Sequence, residues 1–308
     1  MNRRHFLTQS TLAAGSLLLP NWSMAEDNAA QQLVILHTND VHSRIDPFPM
    51  DGGRNQGLGG VASRAAVINE IRSQHEHVLL LDAGDIFQGT PYFNLYKGEP
   101  EIKAMAAMQY DACTMGNHDF DAGLDNFATQ LQHASFPVLV SNYDFTGTAM
   151  EYKALPYKIF KKGRLKIGVF GVGIELEGLV PENLYGKTIY QDPIVKANET
   201  ADLLKRKEKC DMIICLSHLG YDYRGSKKVS DKILAAETQY IDLIIGGHTH
   251  TFMAEPERVK NKQGSDVLIN QVGFGGLILG RLDYVFSDTN KKKFFGSKSI
   301  SIAKKTDI

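Results

Sequence analysis

The chain has 308 residues, of which 43% are hydrophobic and 22% charged, and its formal net charge at pH 7 is −1. This composition excludes a disordered protein, a collagen-like repeat and a coiled coil. The balanced charge does not favour nucleic acid or an anionic membrane as a partner. The sequence also lacks an apolar run of about 18 residues, the length that a membrane-spanning helix needs.

The first 25 residues have the layout of an export signal. Arg3 and Arg4 precede a mildly apolar stretch at 12–19, and the small residues Ser23 and Ala25 follow it. The paired arginines resemble a twin-arginine signal, so we predict that residues 1–25 are removed and that the protein is periplasmic or secreted. The alternative, an ordinary buried first helix, is less favoured because the apolar pattern ends too early.

Short apolar runs alternate with longer amphipathic segments along residues 26–308. The predicted strands are 33–37, 78–81, 111–115, 138–140, 165–171, 212–216 and 242–245. The predicted helices are 60–72, 100–108, 124–131, 194–207 and 230–237. Four further strands without helices follow, at 251–259, 267–272, 277–286 and 294–302. This alternation favours a single α/β domain with a mostly parallel sheet.

The three cysteines are predicted to be buried free thiols. Cys210 and Cys215 lie in one predicted strand, where five residues separate their Cα atoms by roughly 16 Å. That exceeds the limit of about 7 Å for a disulfide. Cys113 lies in another buried strand, so the export context does not imply a disulfide framework here.

Polar residues that can bind metal follow five of the predicted strands. The segments are His37-Thr-Asn-Asp40-Val-His42, Asp82-Ala-Gly-Asp85, Gly116-Asn-His-Asp-Phe-Asp121, Ser217-His218 and Gly246-Gly-His-Thr-His250. Open α/β sheets bind their ligands at the carboxyl ends of the strands. We therefore expect these five segments to converge on one rim.

The residue types in these segments indicate a particular kind of metal site. They supply carboxylate oxygens, an amide oxygen and imidazole nitrogens but no thiolate, a set that suits Mn, Fe, Zn or Co better than Ca²⁺. Taken singly, each residue is more often an ordinary loop or turn residue. Taken together, they exceed what one ion can use. We expect two divalent ions that share a carboxylate, an arrangement suited to phosphoryl transfer to water.

The ordered series of motifs resembles the calcineurin-like metallophosphoesterases. Within that family, Leu33-Val-Ile-Leu-His-Thr-Asn-Asp-Val-His-Ser43 and Gly116-Asn-His-Asp-Phe-Asp121 look like the N-terminal catalytic domain of bacterial exported 5′-nucleotidases. The resemblance covers roughly residues 33–285. It implies a four-layer α/β/β/α sandwich and metal-dependent hydrolysis of phosphate esters, foremost by a 5′-nucleotidase-like phosphomonoesterase.

Carried over position by position, the resemblance implies a role for each motif residue. One ion is bound by Asp40, His42, Asp85 and His250, and the other by Asp85, Asn117, His218 and His248. Asp85 bridges the two ions. His118 is then not a ligand but a catalytic residue that faces the phosphate, and Asp121 orients it.

The sequence departs from the nucleotidase pattern in three places. Asp119 stands where Glu is usual, which we expect to have little effect because that side chain is not a ligand. His250 stands where several nucleotidases carry Gln. We expect the C-terminal nucleotide-binding domain of the two-domain nucleotidases to be missing here, so the resemblance supports the phosphate chemistry better than it supports nucleoside specificity. Either a separate nucleotide-binding protein supplies that surface, or the domain accepts many phosphoesters.

Two other classes of function stay open at this point. The same pair of ions would also serve a cyclic-nucleotide phosphodiesterase or a thiosulfohydrolase-like enzyme. A non-catalytic binding subunit that works with a separate substrate-binding protein is the second class. The presence of every implied ligand and of the His118–Asp121 pair argues against the second class.

Overall fold

A computed structural model describes residues 30–287, 289 and 291–303. The predicted export signal at 1–25 lies outside the described residues. The helices are α1 Val61–Gln74, α2 Pro91–Tyr96, α3 Glu99–Ala107, α4 Leu124–Gln130, α5 Glu182–Tyr185, α6 Pro193–Asp202 and α7 Asp231–Glu237. Short 3₁₀ turns lie at His118–Phe120 and Leu131–His133, and a π turn at Leu203–Lys207 continues α6.

The strands fall into two large sheets and one small one. In chain order they are β1 Gln31–Thr38, β2 Val78–Asp82, β3 Ala112–Cys113, β4 Val138–Leu139, β5 Tyr143–Asp144, β6 Ala154–Leu155, β7 Tyr157–Lys162, β8 Leu165–Val172, β9 Ile189–Tyr190, β10 Met212–Ser217, β11 Leu243–Gly246, β12 Glu257–Lys260, β13 Asp266–Asn270, β14 Ile278–Phe286 and β15 Lys292–Ser301. The first sheet has the order β15-β14-β1-β2-β3-β4-β6 and the second β12-β13-β11-β10-β8-β7, while β5 pairs with β9.

Both large sheets have a parallel centre and some antiparallel pairing toward an edge. In the first sheet, β1, β2, β3, β4 and β6 run parallel, β14 pairs antiparallel with β1, and β15 pairs antiparallel with β14. In the second sheet, β8, β10, β11 and β13 run parallel, with β7 and β12 antiparallel at the two edges. The carboxyl ends of the parallel strands in each sheet therefore lie along one edge.

Three apolar clusters show that the two sheets pack face to face with helices outside. The middle cluster joins both sheets through residues such as Ile35, Leu81 and Ile214. A second cluster buries α1, α3 and α4 against the outer face of the first sheet, and a third buries α6 and α7 against the second. The predicted four-layer α/β/β/α sandwich is confirmed.

The central strands are continuous apolar runs because both of their faces are covered. All six residues of β10 are buried, as are all five of β2. Such runs are expected where helices cover one face and a second sheet the other. Side-chain caps begin three of the described helices. Thr90 Oγ1 accepts from the Tyr92 amide at α2, Asp192 accepts from Ile194 and Val195 at α6, and Ser230 Oγ accepts from the Ile233 amide at α7.

Several predicted boundaries differ from the structure. The predicted strand 111–115 contracts to Ala112–Cys113, because the residues that follow turn away to form the site. The predicted strand 251–259 is instead an isolated bridge between Phe252 and Val272, followed by β12. Helix α2 was not predicted, because at six residues it is too short for helical periodicity to be recognised; its local signals are the Thr90 cap and Pro91 at its first position.

Cys113, Cys210 and Cys215 are free and buried, as predicted. Burial raises the pKa of each thiol, most strongly at Cys113 and Cys215. Among the described residues, no helix combines the length and the apolar character needed to cross a membrane.

Candidate metal centre

All seven side chains that the sequence indicated as ligands lie together at the edge where the parallel strands end. They reach this edge from turns that follow strands of both sheets, namely Asp40, His42, Asp85, Asn117, His218, His248 and His250. Six of them form two groups of three, and the nitrogen or oxygen atoms within each group lie within 4.8 Å of one another. We call Asp40, His42 and His250 the outer group, and Asp85, His218 and His248 the inner group.

The outer group directs one carboxylate and two imidazoles at a common point. His250 Nε2 lies 3.3 Å from Asp40 Oδ1 and 3.0 Å from His42 Nε2. His42 Nδ1 lies 3.2 Å from the Phe87 carbonyl oxygen, which can accept a hydrogen bond only if Nδ1 carries the proton. The lone pair of His42 Nε2 then points at the other two side chains, as a metal ligand requires.

The inner group is more deeply buried and its orientation is fixed from behind. His218 Nδ1 donates to the Ala83 carbonyl oxygen over 2.6 Å, which turns Nε2 toward the rest of the inner group. That Nε2 atom is buried and lies 3.0 Å from Asp85 Oδ2, yet it has no partner in hydrogen-bonding geometry. A buried polar atom without a hydrogen bond is rare in proteins and calls for a ligand or ion.

Asn117 completes the inner side of the rim. Its Oδ1 atom lies 2.8 Å from His248 Nδ1. The amide oxygen is a neutral donor, and Asn117 itself is buried at the start of the 3₁₀ turn His118–Phe120. The side chain therefore faces the inner group, on the side assigned to it by the family resemblance.

Asp85, a member of the inner group, also faces the outer group. Its Oδ2 atom lies 3.0 Å from His218 Nε2 and 3.9 Å from His42 Nε2. Burial alone would raise the pKa of Asp85, but His218 outweighs it and lowers the pKa. Burial would likewise lower the pKa of His218, but Asp85 raises it to about 10. The carboxylate thus holds a positive partner at this point, a role that a cation can take over.

Divalent metal ions fit both groups. Metal–ligand bonds of about 2.0–2.2 Å to nitrogen and oxygen place ligand atoms at most about 4.4 Å apart, close to the spacing found here. Burial lowers the pKa of His248 to about 4 and also lowers that of His42, so both imidazoles are neutral donors at pH 7. The orphaned His218 Nε2 is the third observation that favours a bound cation.

Two glycines allow the turns that carry the inner group to approach each other closely. A Cβ atom on Gly116 would clash with Asp85 Oδ1 and with the His218 ring. A Cβ atom on Gly84, whose φ is +87°, would clash with the backbone of Met115 and Gly116. The close approach of the turns after β2 and β3 therefore depends on the absence of side chains at these two positions.

The backbone of the ligands themselves is unusual. Five of the seven have left-handed φ angles: Asp40 (50°), His42 (50°), Asp85 (56°), His248 (71°) and His250 (51°). This conformation costs a non-glycine residue roughly 1–2 kcal/mol, although Asp and His tolerate it better than most. Such strain clusters at functional sites, and here it turns successive side chains toward the two groups.

His118 lies beside the two groups rather than in them. Its Nδ1 atom is 2.8 Å from Asp121 Oδ2, and its backbone amide donates to Asp85 Oδ1 over 2.8 Å. The hydrogen bond to Asp121 raises the pKa of His118. The ring is 40% exposed and its centroid lies 5.3 Å from that of His42. An imidazolium can thus face a molecule that reaches the metal groups from solvent.

The sequence analysis expected the Asp119 side chain to matter little, but its carboxylate connects two turns of the site. Oδ1 accepts from the amides of Ile86 (2.9 Å) and Phe87 (3.1 Å), and Oδ2 from those of Asp85 (3.0 Å) and Gly116 (2.8 Å). Asp119 lies outside both groups. It is fully buried, however, and it fixes the turn of Asp85 to the turn that carries Asn117.

Two buried amides that the sequence did not single out hold the outer turns. Asn39 Nδ2 donates to Asp40 Oδ2 and to the Gly273 carbonyl oxygen, and its Oδ1 accepts from Val272 N. Gln271 Nε2 donates to the Gly247 carbonyl oxygen over 2.6 Å, and its Oε1 accepts from Thr251 N. Asn39 lies next to a predicted ligand, which was a usable signal. Gln271 is not next to a predicted ligand in the sequence. It reaches the turn after β11 only because β13, which it follows, pairs with β11.

Comparison with known proteins agrees with this geometry. A family model described as calcineurin-like phosphoesterase matches residues 33–252. The chain is 36% identical over 277 residues to the snake venom 5′-nucleotidase of Crotalus adamanteus, a match that covers 83% of this chain and 46% of that protein. The chain thus spans about half the length of the curated relatives it matches.

Solved structures agree with the family model. A 5′-nucleotidase precursor from Thermus thermophilus superposes with a TM-score of 0.77 at 30% identity, over 88% of this chain and 54% of the other. The calcineurin-like phosphoesterase YfkN from Bacillus subtilis superposes with a TM-score of 0.70 at 27% identity, over 91% of this chain and 93% of the other. The chain belongs to the calcineurin-like phosphoesterase family.

Proposed function

We propose that this protein hydrolyses phosphate monoesters as a 5′-nucleotidase-like enzyme with two divalent metal ions. The observation that carries the proposal is the position of Asp85 between two ligand groups, with the His118–Asp121 pair beside them. Relatives at 34–36% identity that are named 5′-nucleotidase support the choice of substrate class.

The ligands divide between the ions as the geometry divides them. Asp40, His42 and His250 would hold one ion, and Asn117, His218 and His248 the other, with Asp85 shared. When bound, the two ions would polarise the phosphoryl group and activate the attacking water. Carbonyl oxygens hold Nδ1 of both His42 and His218, so Nε2 is the nitrogen of each ring that would bind an ion, and at His218 the ion would replace the proton that Asp85 stabilises.

His118 acts on the leaving group. With Nδ1 hydrogen-bonded to Asp121, Nε2 is the nitrogen that can donate a proton to the departing alkoxide or stabilise charge on the phosphoryl oxygens. Asp121 positions the ring and favours its protonated form. The backbone amide of His118 donates to Asp85 Oδ1, which links the residue that carries the catalytic ring to the shared ligand.

A panel of phosphoesters tests the activity. Purified protein loaded with Mn²⁺ is assayed with AMP, a cyclic nucleotide and p-nitrophenyl phosphate. We expect AMP and the aryl monoester to be hydrolysed and the cyclic diester to be the poorest substrate. Faster turnover of the cyclic diester would replace the monoesterase proposal with a phosphodiesterase. Absence of turnover with every ester, in metal-loaded protein, would favour a binding subunit.

Replacement of His118 separates the proton donor from the ligands. In His118→Asn, we expect turnover to fall by about 10²- to 10⁴-fold, the usual contribution of a positioned acid or base. Metal content, measured by elemental analysis, should match that of the unchanged protein, because His118 lies outside both ligand groups. Loss of metal from this variant would make His118 a ligand and contradict the assignment of roles.

We propose, further, that residues 1–25 direct export to the periplasm and are then removed. The paired Arg3 and Arg4 and the short apolar stretch support this proposal. The chain has a single tryptophan, Trp22, which lies within that segment. The mature protein is therefore expected to lack tryptophan fluorescence and to show a mass lower by the 25 residues; an unprocessed mass after expression in an exporting host would contradict it.

A further inference from the structure

Three phenylalanines extend outward from the outer group, and we call Phe48, Phe252 and Phe274 the aromatic rim. The Phe274 ring stacks on the His250 imidazole, with centroids 5.3 Å apart and planes at 25°. Phe252 packs edge to face on Phe274 at 5.9 Å, and Phe48 does so at 6.3 Å. A continuous set of ring contacts therefore leads from a proposed metal ligand to the surface.

The rim is fixed to the same backbone that positions the ligands. The Gly275 amide donates to the Asp40 carbonyl oxygen over 2.7 Å, and the Gly273 amide donates to the Thr251 carbonyl oxygen over 2.9 Å. Phe252 lies against Gly273, where any Cβ atom would clash with the ring. Phe252 is thus a held side chain, and its position relative to the outer group is set by the fold.

The outermost ring of the rim is left uncovered. Phe252 is 54% exposed, whereas Phe274 and Phe48 are half-buried. The Arg44 guanidinium lies 4.0 Å from the centre of the Phe48 ring, so one face of that ring already has a cation on it. Phe252 is therefore the ring of the rim that is most open to an incoming flat molecule.

We infer that Phe252 is a specificity-determining residue and that the aromatic rim binds a flat, aromatic part of the leaving group. The inference rests on the proposed function, because it assumes that the phosphate lies at the metal groups. An ester held there and extending past His250 would run along Phe274 and meet Phe252. Stacking of a base on an aromatic side chain is worth about 1–3 kcal/mol. The chain would then supply its own base-binding surface.

The test compares two esters that differ only in the base. The value of kcat/KM is measured for AMP and for ribose 5-phosphate, in the unchanged protein and in Phe252→Ala. We expect the ratio of AMP to ribose 5-phosphate to fall about 5- to 150-fold in the variant, the equivalent of the stacking energy. Phe252→Tyr, which keeps a ring, should restore most of the ratio. Tyr152→Ala, at an aromatic residue that is 93% exposed and outside the rim, is the matched control and should leave it unchanged.

Binding of adenosine, which has no phosphate to hydrolyse, gives a second readout. Isothermal titration should show adenosine binding that weakens in Phe252→Ala and persists in Tyr152→Ala. An equal ratio in the unchanged protein and in Phe252→Ala would overturn the inference and favour base recognition by a separate polypeptide, while monoester hydrolysis would stand. Adenosine binding that depends on Phe252, in protein that hydrolyses no ester, would instead overturn the proposed function and support the rim.

Discussion

The two ligand groups use the same chemistry in different surroundings. In the inner group, the side chains of His218 and Asp85 are 0% and 2% exposed. In the outer group, the side chains of His42 and His250 are 15% and 41% exposed. The inner group is fixed by the Ala83 carbonyl oxygen and the Asp119 carboxylate, whereas His250 is held by stacking on Phe274.

This difference indicates a division of work within one centre. A buried, hydrogen-bonded group retains a cation because water cannot easily replace its ligands and because its side chains are already oriented. An exposed group exchanges ligands more freely and offers room for a substrate. We therefore expect the inner group to hold its metal more tightly, and the outer group to be the side on which the ester binds.

Removal of Asp85, the proposed shared ligand, should weaken metal binding in both groups. In Asp85→Ala, we expect metal content to fall below one ion per chain and phosphoesterase turnover to fall to the level of the metal-stripped protein, because the side chain lies between both groups. Elemental analysis and a steady-state assay measure the two effects. Retention of two tightly bound ions together with full turnover would contradict the shared role of Asp85.

Single replacements in each group should reveal the expected difference in metal affinity between the inner and outer groups. Loss of an outer-shell partner lowers metal affinity about 10- to 100-fold, so His218→Ala, which removes a buried ligand, should lower the affinity for one ion by more than about 100-fold. In His250→Ala, water can take the vacant position, so turnover should recover with excess Mn²⁺. Titration of each metal-stripped variant with Mn²⁺ measures both affinities. The reverse order would refute the assignment of the tight site to the inner group.

Asp119→Asn should give a smaller effect, confined to the inner group. An amide nitrogen in place of one oxygen would face two amide N–H groups and leave them unsatisfied, at about 1–3 kcal/mol each. We expect a lower melting temperature and weaker binding of one metal ion. Asp119→Glu keeps both oxygens and is the control; it should lie closer to the unchanged protein. Equal melting temperatures and affinities for Asp119→Asn and the unchanged protein would show that the four hydrogen bonds do not support the site.

Much of the fold could be predicted from the sequence, because apolar runs such as Met212–Leu216 are recognisable without a partner. The order of the metal-binding motifs and their place after strands could also be predicted. The hydrogen bonds that hold these motifs in place could not be predicted. The four contacts of Asp119 and the pairing of Gln271 with Gly247 depend on how two turns or strands meet, and separate segments of sequence do not record it.

The position of the aromatic rim could not be predicted from the sequence either. Phe252 was expected within a long strand, whereas the structure places it at a single bridge to Val272, with its ring over Gly273. The glycines of Gly273-Phe274-Gly275-Gly276 have left-handed φ angles of 62–75°, which turn the segment toward His250. Alternation of apolar and polar residues carries no information about such a turn.

The left-handed backbone at Asp40, His42, Asp85, His248 and His250 favours some amino acids over others at these positions. Among side chains that bind cations, Asp, Asn and His are the ones that adopt this conformation readily, whereas Glu and Cys lack the same tolerance. The backbone conformation therefore favours certain types of ligand residue whether or not an ion is bound. An engineer who wished to install thiolates, and so to recruit a softer element such as Cu(I), would face a backbone cost of roughly 1–2 kcal/mol at each such position unless the turns were rebuilt as well.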